Sequence, residues 1–288
     1  MNIGIIGAEN SHTIVVAKLL NVDRAVRGAT VTHVWGETRA FAEKAAEEGK
    51  IPTIVEDPRE MLGKVDGIMV DHRDGKYHIP AVKPFVKAGV PVFVDKPMAC
   101  SLAEARRFLK FRSECKVPVT TMSSIVLQPW AVELKKKLRG IGRVRALHLH
   151  GPGDYKSQYG GIWFYGIHQV ELMTELVGIG ATHAQMIVNG EDSAAVVTYP
   201  EGLTVTMNFL VKAPYGFSVA ATGHEGSFES AATYDPSGAE AVVRTFTKMF
   251  RTGTEPFSDE RMLAPLAVLE AMEKSLQKGT AVKVAKVE

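Results

Sequence analysis

From Met1 to Thr121 the chain alternates between short apolar runs and amphipathic stretches, and no other feature of the sequence constrains the fold as strongly. The apolar runs predict strands at Ile3 to Ile6, Thr30 to Trp35, Ile51 to Val55, Gly67 to Val70, Pro91 to Val94 and Val117 to Thr121. Amphipathic stretches between them predict the connecting helices. Because strands that alternate with helices form parallel sheets, this part is predicted to be an α/β, doubly wound parallel sheet.

After Thr121 the alternation gives way to helices and consecutive short strands. Strands are predicted at Arg143 to His150, Ala184 to Val188, Ala194 to Tyr199, Leu203 to Phe209, Phe217 to Thr222 and Ala281 to Val284. Helices are predicted at Pro129 to Leu138, Trp163 to Val177 and Asp259 to Leu276. This pattern predicts an α+β domain with an open, mostly antiparallel sheet covered on one face. Since 288 residues exceed what one core usually serves, two domains are expected, 1–121 and 122–288.

Composition excludes several classes of function. Thirty-four basic against 32 acidic residues leave a net charge of +2, which gives no electrostatic basis for binding nucleic acid or an anionic membrane. Cys100 and Cys115 do not form a Cys-x-x-Cys pair, so neither a disulfide framework nor a zinc ribbon is indicated. No apolar run reaches the ~20 residues of a membrane span. A cytoplasmic protein without a bound metal is expected.

The first strand-to-helix turn runs from Gly7 through Glu9, Asn10 and Ser11 to His12. A dinucleotide-binding turn has the pattern G-x-G-x-x-G, in which the second glycine lets the pyrophosphate approach. Here only Gly7 is present, because Glu9 and His12 stand at the second and third glycine positions. The turn alone therefore leaves two interpretations open: a nucleotide site, or an ordinary turn in which Ser11 caps the helix.

The residues after the second strand bear on the choice between NAD and NADP. Glu37 can take the acidic position that hydrogen-bonds the adenosine ribose in NAD enzymes. Gly36 and Arg39 can instead admit a 2′-phosphate. The sequence leaves both cofactors open, and it also leaves open that Thr38 simply caps the following helix.

Two segments carry a resemblance to a known family: the run from Asp71 to His78, and the strand that ends in Asp95-Lys96-Pro97. The sequence resembles the Gfo/Idh/MocA oxidoreductases, in which a histidine opens the helix after the fourth strand and the next strand ends in Glu-Lys-Pro. The resemblance implies that Lys96 is catalytic and that Pro97 follows a cis bond. It also implies a cofactor site bordered by the residues of the first turn and by Asp71, His72, His78, Asp95 and Lys96.

A further segment that resembles the family is the helix that contains Tyr165, Gly166 and His168. The family carries Asp-x-Gly-x-His there, and its histidine exchanges a proton with the substrate hydroxyl. His168 and Gly166 match, but Phe164 stands at the aspartate position. Glu171, one turn further along, is a candidate replacement partner for His168. The residues expected to contact substrate are Ser123, Gln128, Tyr165 and Glu171.

The resemblance implies an NAD(P)-dependent oxidoreductase that transfers hydride between nicotinamide and a small hydroxylated or carbonyl compound, which by analogy with the family is carbohydrate-like. It also implies a homo-oligomer, a dimer or a tetramer. Two alternatives remain open: a sensor of the same fold that binds a ligand without turnover, and a lyase or hydrolase that uses NAD transiently. The departures at Glu9, His12 and Phe164 favour the sensor.

Overall fold

The computed structural model describes residues 1–233 and 235–287, which form two compact units. The N-terminal unit comprises residues 1–99, 103–124 and 236–259. The C-terminal unit comprises residues 100–102, 125–235 and 260–288, apart from the two positions outside the described ranges. Within the described ranges, no helix is long and apolar enough to cross a membrane.

The N-terminal unit is built on a parallel sheet with helical crossovers. Its strands are β1 (Asn2–Ile6), β2 (Thr30–Trp35), β3 (Thr53–Ile54), β4 (Gly67–Val70), β5 (Val92–Val94) and β6 (Val119–Thr121). The helices between them are α1 (Ser11–Ala17, continued by a π-helical turn at Lys18–Val22), α2 (Arg39–Gly49), α3 (His78–Lys87) and α4 (Leu102–Cys115). The strand order β3-β2-β1-β4-β5-β6 confirms the predicted doubly wound fold, the Rossmann arrangement.

Two helix termini differ from the sequence prediction. Asn10, and not Ser11, caps α1, because the Asn10 side chain accepts a hydrogen bond from the backbone N–H of His12. The glycine at 49 is the residue that the sequence predicts to end α2, whereas in the structure Lys50 adopts the left-handed conformation that ends this helix. Gly49 serves close packing instead, since a Cβ there would collide with Ala17. Thr38 caps α2 as predicted.

The remaining elements follow the first unit along the chain. They are α5 (Pro129–Arg139), β7 (Val144–Pro152), α6 (Ile162–Val177), β8 (His183–Asn189), β9 (Asp192–Thr198), β10 (Thr204–Leu210), β11 (Ser218–Gly223), β12 (Ser227–Ala231), α7 (Ser237–Thr252), α8 (Asp259–Lys278) and β13 (Val282–Lys283). The sheet order is β12-β11-β7-β10-β9-β8-β13. β7 and β10 pair in parallel and the other neighbours pair antiparallel, which confirms the open, mostly antiparallel sheet.

Helix α7 was not predicted from the sequence, and it packs with the N-terminal unit. Phe246 of α7 stacks on Phe93 of β5 with ring centroids 4.7 Å apart. Glu255, just after α7, accepts a 2.8 Å hydrogen bond from the backbone N–H of Val119 in the edge strand β6. The compact units therefore differ from the two domains expected from the sequence: residues 236–259 lie with the first unit, whose earlier segment ends at 124 and not at 121.

Candidate functional site

The loops after β1, β4 and β5 meet at one edge of the parallel sheet. Ile6 pairs with Val70 across β1 and β4, and Val70 pairs with Val94 across β4 and β5. Each of these residues is followed by one from the expected cofactor site, and the three are Gly7, Asp71 and Asp95. The carboxyl edge of an open α/β sheet is where such folds bind their ligands.

Gly7 is required by close packing at this edge. Its φ is +107°, and a Cβ atom there would lie 2.7 Å from the carbonyl carbon of Asp71 and from the backbone nitrogen of His72. Any other residue would be strained and would also push the loop away from β4. Gly36 is restricted in a similar way, because a Cβ would lie 2.9 Å from the backbone nitrogen of Ala42.

Glu37 connects the end of β2 to the first turn. Its Oε2 accepts hydrogen bonds of 2.9 Å from the backbone N–H groups of both Ala8 and Glu9. The other carboxylate oxygen, Oε1, is buried and has no hydrogen-bond partner among the described residues. A buried carboxylate oxygen without a donor is costly, so this atom is suited to accept a hydrogen bond from a bound ligand.

Arg39, the candidate contact for a 2′-phosphate, is already engaged with two carboxylates. Its guanidinium group lies 2.8 Å from Glu43 and 2.7 Å from Glu56. These ion pairs are exposed, and they raise the pKa of Arg39, first through the hydrogen bond with Glu43. Arg39 is therefore neutralised by its own neighbours.

Glu9 stands at the second glycine position without leaving an isolated negative charge in the turn. Its carboxylate lies 3.8 Å from the guanidinium group of Arg73, in the loop after β4. Both side chains are partly exposed. The pairing removes much of the repulsion that a carboxylate in this place would exert on a pyrophosphate.

His12, at the third glycine position, contacts the buried carboxylate of Asp95. The Nδ1 atom of His12 lies 3.1 Å from Asp95 Oδ1, and the Asn10 amide donates a 3.4 Å bond to Oδ2. The Lys96 ammonium lies 3.6 Å from the same Oδ2. Although burial opposes ionisation, His12 and Lys96 together hold the pKa of Asp95 below its ordinary value. The Lys96–Pro97 bond is cis, as expected.

Asp71 is fully buried beside Asp95, and its surroundings favour the neutral acid. Burial is the largest cause that raises its pKa well above the ordinary value, and the negative charge of Asp95 is the next. The hydroxyl of Thr13 lies 2.7 Å from both Asp71 Oδ2 and the carbonyl oxygen of Gly7. Since that hydroxyl has one hydrogen for two oxygen neighbours, the geometry fits a protonated Asp71 that donates to Thr13 while Thr13 donates to Gly7.

The same edge contains the one group of potential metal ligands found among the described residues, His12, Asp71 and Asp95, whose ligand atoms lie within 4.8 Å of one another. Two features disfavour a cation. A protonated Asp71 is a poor ligand, and the Lys96 ammonium already lies against Asp95. The group is better explained as a carboxylic acid next to a carboxylate that shares its charge with His12 and Lys96.

His78 and His72 are buried behind this edge of the sheet. His78 is fully buried, and its two ring nitrogens lie 2.8 Å from the carbonyl oxygens of Pro97 and His72. Burial lowers the pKa of His78 and lowers the pKa of His72 to about 4. His72 also packs against the rings of Trp35 and Tyr77. A cationic contact from His72 to a phosphate is therefore not supported at neutral pH.

In the C-terminal unit, helix α6 positions His168 and Tyr165. His168 is buried, and its ring lies 5.5 Å from the Tyr165 ring and 6.0 Å from that of Phe217. Gln169 links α6 to β10 of the sheet, because its side-chain amide donates a 2.9 Å hydrogen bond to the carbonyl oxygen of Asn208. His168 therefore has a fixed position within an aromatic environment.

The other residues expected to contact substrate are divided between the two units. Ser123 is buried at the end of β6, in the N-terminal unit. Gln128 and Glu171 are buried in the C-terminal unit. The side-chain oxygen of Gln128 accepts a 3.1 Å hydrogen bond from the backbone N–H of Asp235, which indicates a structural role for that oxygen.

Sequence reasoning missed two participants in the N-terminal cluster, Thr13 and Arg73. Both act through residues far away in the sequence, since Thr13 contacts Asp71 and Arg73 pairs with Glu9. A threonine inside an apolar helix and an arginine in a loop are common residues in common places. No local signal identified either.

The comparisons with known proteins agree with this architecture. Residues 1–122 match the model of the Gfo/Idh/MocA oxidoreductase family, described as having an NAD-binding Rossmann fold. The family match therefore covers the Rossmann part of the chain, residues 1–122 of 288.

One curated relative and two solved structures show how far the similarity extends. The uncharacterized protein YMR315W of Saccharomyces cerevisiae is 25% identical over 158 residues, which cover 47% of this chain and 45% of that protein, so less than half of the relative is matched. The myo-inositol dehydrogenase of Lactobacillus casei, crystallised with NAD(H) and myo-inositol, superposes with a TM-score of 0.85 at 17% identity, covering 100% of this chain and 98% of that one. The scyllo-inositol dehydrogenase of the same organism, with NAD(H) and scyllo-inositol, gives 0.86 at 13% identity, covering 99% of each chain. At these identities the structures establish the shared fold.

Proposed function

We propose that this protein is an NAD(H)-dependent oxidoreductase that interconverts a hydroxyl and a carbonyl group on a small molecule. The observation that carries the proposal is the position of Glu37. One of its carboxylate oxygens holds the N–H groups of the first turn, and the other is buried without a partner among the described residues. The hydroxyl groups of an adenosine ribose supply the donors that this oxygen lacks.

The same residues favour NAD over NADP. A 2′-phosphate would bring a second negative charge against the Glu37 carboxylate, whereas a 2′-hydroxyl donates a hydrogen bond to it. Arg39 does not compensate for that repulsion, because Glu43 and Glu56 already neutralise it. The pairing of Glu9 with Arg73 supports a turn that tolerates the pyrophosphate despite the missing glycine.

The bound dinucleotide supplies the hydride acceptor or donor of the reaction. Lys96 donates a hydrogen bond to the reacting substrate oxygen and lowers the energy of the alkoxide that forms there. Asp95 holds the Lys96 ammonium in place at 3.6 Å. The family resemblance implies that His168 exchanges the hydroxyl proton with the substrate.

Fluorescence titration of purified, cofactor-free protein with NADH and NADPH tests this proposal. We expect saturable micromolar binding of NADH and at least ten-fold weaker binding of NADPH. Glu37→Gln removes the negative charge, so it should weaken NADH binding and reduce the difference between the Kd values of NADH and NADPH. Glu47→Gln, on the exposed side of α2, is the matched control and should change neither value. Failure of folded protein to bind either cofactor would refute the proposal.

A second candidate function, a sensor that binds a ligand without turnover, is favoured by Phe164. This phenyl ring packs between Tyr159 and Tyr165 at the position where the family resemblance implies an aspartate. The substitution Lys96→Ala distinguishes the two functions. In an enzyme this substitution abolishes turnover, whereas in a sensor no turnover exists and ligand binding only weakens.

Homo-oligomerisation through the open sheet is part of the proposal. Ile187 and Val188 on β8 have exposed side chains, 55% and 44% accessible, and because successive strand residues point to opposite faces, each face of the sheet has one exposed aliphatic side chain there. Light scattering after gel filtration measures the mass directly. Replacement of both residues with Ser should shift a dimer or tetramer towards the 31.3 kDa monomer.

A further inference from the structure

A continuous series of aromatic rings surrounds His168 in the C-terminal unit. We call it the aromatic arc, and its members in order of contact are Tyr159, Phe164, Tyr165, His168, Phe217 and Tyr215. Successive ring centroids lie 5.0, 4.8, 5.5, 6.0 and 5.9 Å apart, with tilted or edge-to-face orientations. These distances and angles are those of favourable aromatic pairs.

The arc borders a cavity of about 590 Å³. Tyr159, Phe164, Tyr165 and Tyr215 line it, and Leu210 and Val211 add an aliphatic wall. Its volume lies within the range of cavities that hold drug-sized organic ligands. The polar side chains in the lining, Asp154, Ser157 and Gln158, all come from the loop that precedes α6.

The cavity walls are fixed by local hydrogen bonds and close packing. The loop before α6 is held where the Gly161 N–H donates a 2.7 Å bond to the carbonyl oxygen of Ser157. Phe217 packs closely against Gly151 of β7, where a Cβ atom would overlap the ring. Phe209 packs against Gly153, the residue after β7, where a Cβ atom would lie 2.6 Å from the ring. The arrangement is therefore preformed, which lowers the entropy cost of binding.

The cavity walls combine a large aromatic surface with polar side chains on one loop and the hydroxyl groups of the tyrosines. Each hydroxyl of a polyol that leaves water needs a hydrogen-bond partner, and each hydroxyl left unpaired weakens binding. The ring of Phe164 replaces the carboxylate that the family resemblance implies beside His168. A ligand with a flat apolar body gains contact with several rings, and its polar groups can reach the loop that carries Asp154.

We propose that the cavity bordered by the aromatic arc binds an aryl-substituted alcohol or ketone, with the aryl group against the arc. This inference rests on the proposed oxidoreductase function for the statement that the ligand is a substrate. The selectivity for an aryl body rests on the cavity alone. The substrate class then differs from the inositols bound by the two Lactobacillus casei dehydrogenases.

Isothermal titration of the full-length protein without cofactor tests the cavity. The matched probes are 1-phenylethane-1,2-diol and butane-1,2-diol, which share a diol and differ in the aryl group, with myo-inositol as the polyol. We expect the phenyl diol to bind at least ten-fold more tightly than either of the others, since each aromatic contact contributes about 2- to 12-fold in Kd. Equal binding of the two diols, or preference for myo-inositol, would overturn the proposal.

Two variants localise the binding. Tyr215→Ala removes a ring that is 71% exposed, so the fold should tolerate it, and Phe164→Ala removes a ring from the middle of the arc. Each should raise the Kd of the phenyl diol about ten-fold. Phe228→Ala, on β12 outside the arc, is the control and should leave the Kd unchanged. Unchanged binding in Tyr215→Ala would contradict the assignment.

The cofactor titration of the same preparation separates this inference from the proposed function. If the phenyl diol binds and NADH does not, the oxidoreductase function fails and the claim that the ligand is a substrate fails with it. If NADH binds and the aryl preference is absent, the proposed function stands and the aryl substrate class is wrong.

Discussion

The buried carboxyl of Asp71 makes a prediction about how stability depends on pH. Burial and the neighbouring Asp95 raise the pKa of Asp71, so the folded protein retains a proton that an unfolded aspartate has lost above about pH 4. The native state then binds more protons than the unfolded state. The free energy of unfolding must therefore fall as the pH rises from about 4 towards the pKa of Asp71 in the folded protein.

Asp71→Asn removes this dependence while it keeps the local hydrogen bond. The amide N–H of asparagine can donate to the Thr13 hydroxyl, which lies 2.7 Å from Oδ2, as the acid does. We expect the free energy of unfolding of the variant to exceed that of the wild type at pH 7. This difference in the free energy of unfolding, the gap, should grow with pH. The gap at pH 7 is at most about 4 kcal/mol, since each unit above the unfolded pKa costs about 1.4 kcal/mol.

Urea unfolding of both proteins between pH 4.5 and pH 8 measures the gap, with ligand absent throughout. Asp57→Asn provides a control of opposite sign. The side-chain hydrogen bond from Arg59 lowers the pKa of Asp57 to about 2, so that carboxylate stabilises the fold above pH 4, and its loss should reduce stability there. A variant Asp71→Asn that is less stable than the wild type at pH 7, or a gap that is constant with pH, would show that Asp71 is ionised.

Three further substitutions test packing and anchoring. Gly7→Ala places a Cβ 2.7 Å from backbone atoms at a φ of +107°, so it should cost more than about 2 kcal/mol in urea unfolding and abolish NADH binding; retained binding would show that the turn is not the cofactor site. Phe246→Ala should cost about 3–5 kcal/mol in the same assay, whereas a loss under 1 kcal/mol would contradict the packing of α7 on β5. Gln169→Leu leaves buried carbonyl groups without donors and should cost about 1–3 kcal/mol in urea unfolding; unchanged stability would mean that water or a rearrangement replaces the amide.

The sequence predicted the strands of both sheets except β12, because the signals of the predicted strands are local. β4, for example, is an uninterrupted apolar run that is buried along its whole length. The alternation of polar and apolar residues from Thr204 to Phe209 in β10 likewise predicts a strand with one buried face. The fold class therefore followed from periodicity alone.

The interactions that define the candidate site depend on distant residues, and the sequence could not predict them. Glu9 was a serious departure from the dinucleotide pattern until the structure placed Arg73 against it. The cap of α1 was assigned to Ser11, although Asn10 offers an equally good side chain one residue earlier. Whether Glu37 faces the first turn or the solvent likewise depends on how the end of β2 is oriented beside β1.

The return of the chain to its first unit has a consequence for synthesis on the ribosome. The stacking of Phe246 on Phe93, and the close packing of Phe250 against Gly67, need residues that are made only after most of the second sheet. A nascent chain that ends near Thr121 lacks these contacts and the carboxylate of Glu255 that covers the edge strand β6. The Rossmann unit consequently cannot complete its folding until residues 236–259 have been made, and a fragment cut at the apparent domain boundary should be unstable and prone to aggregate.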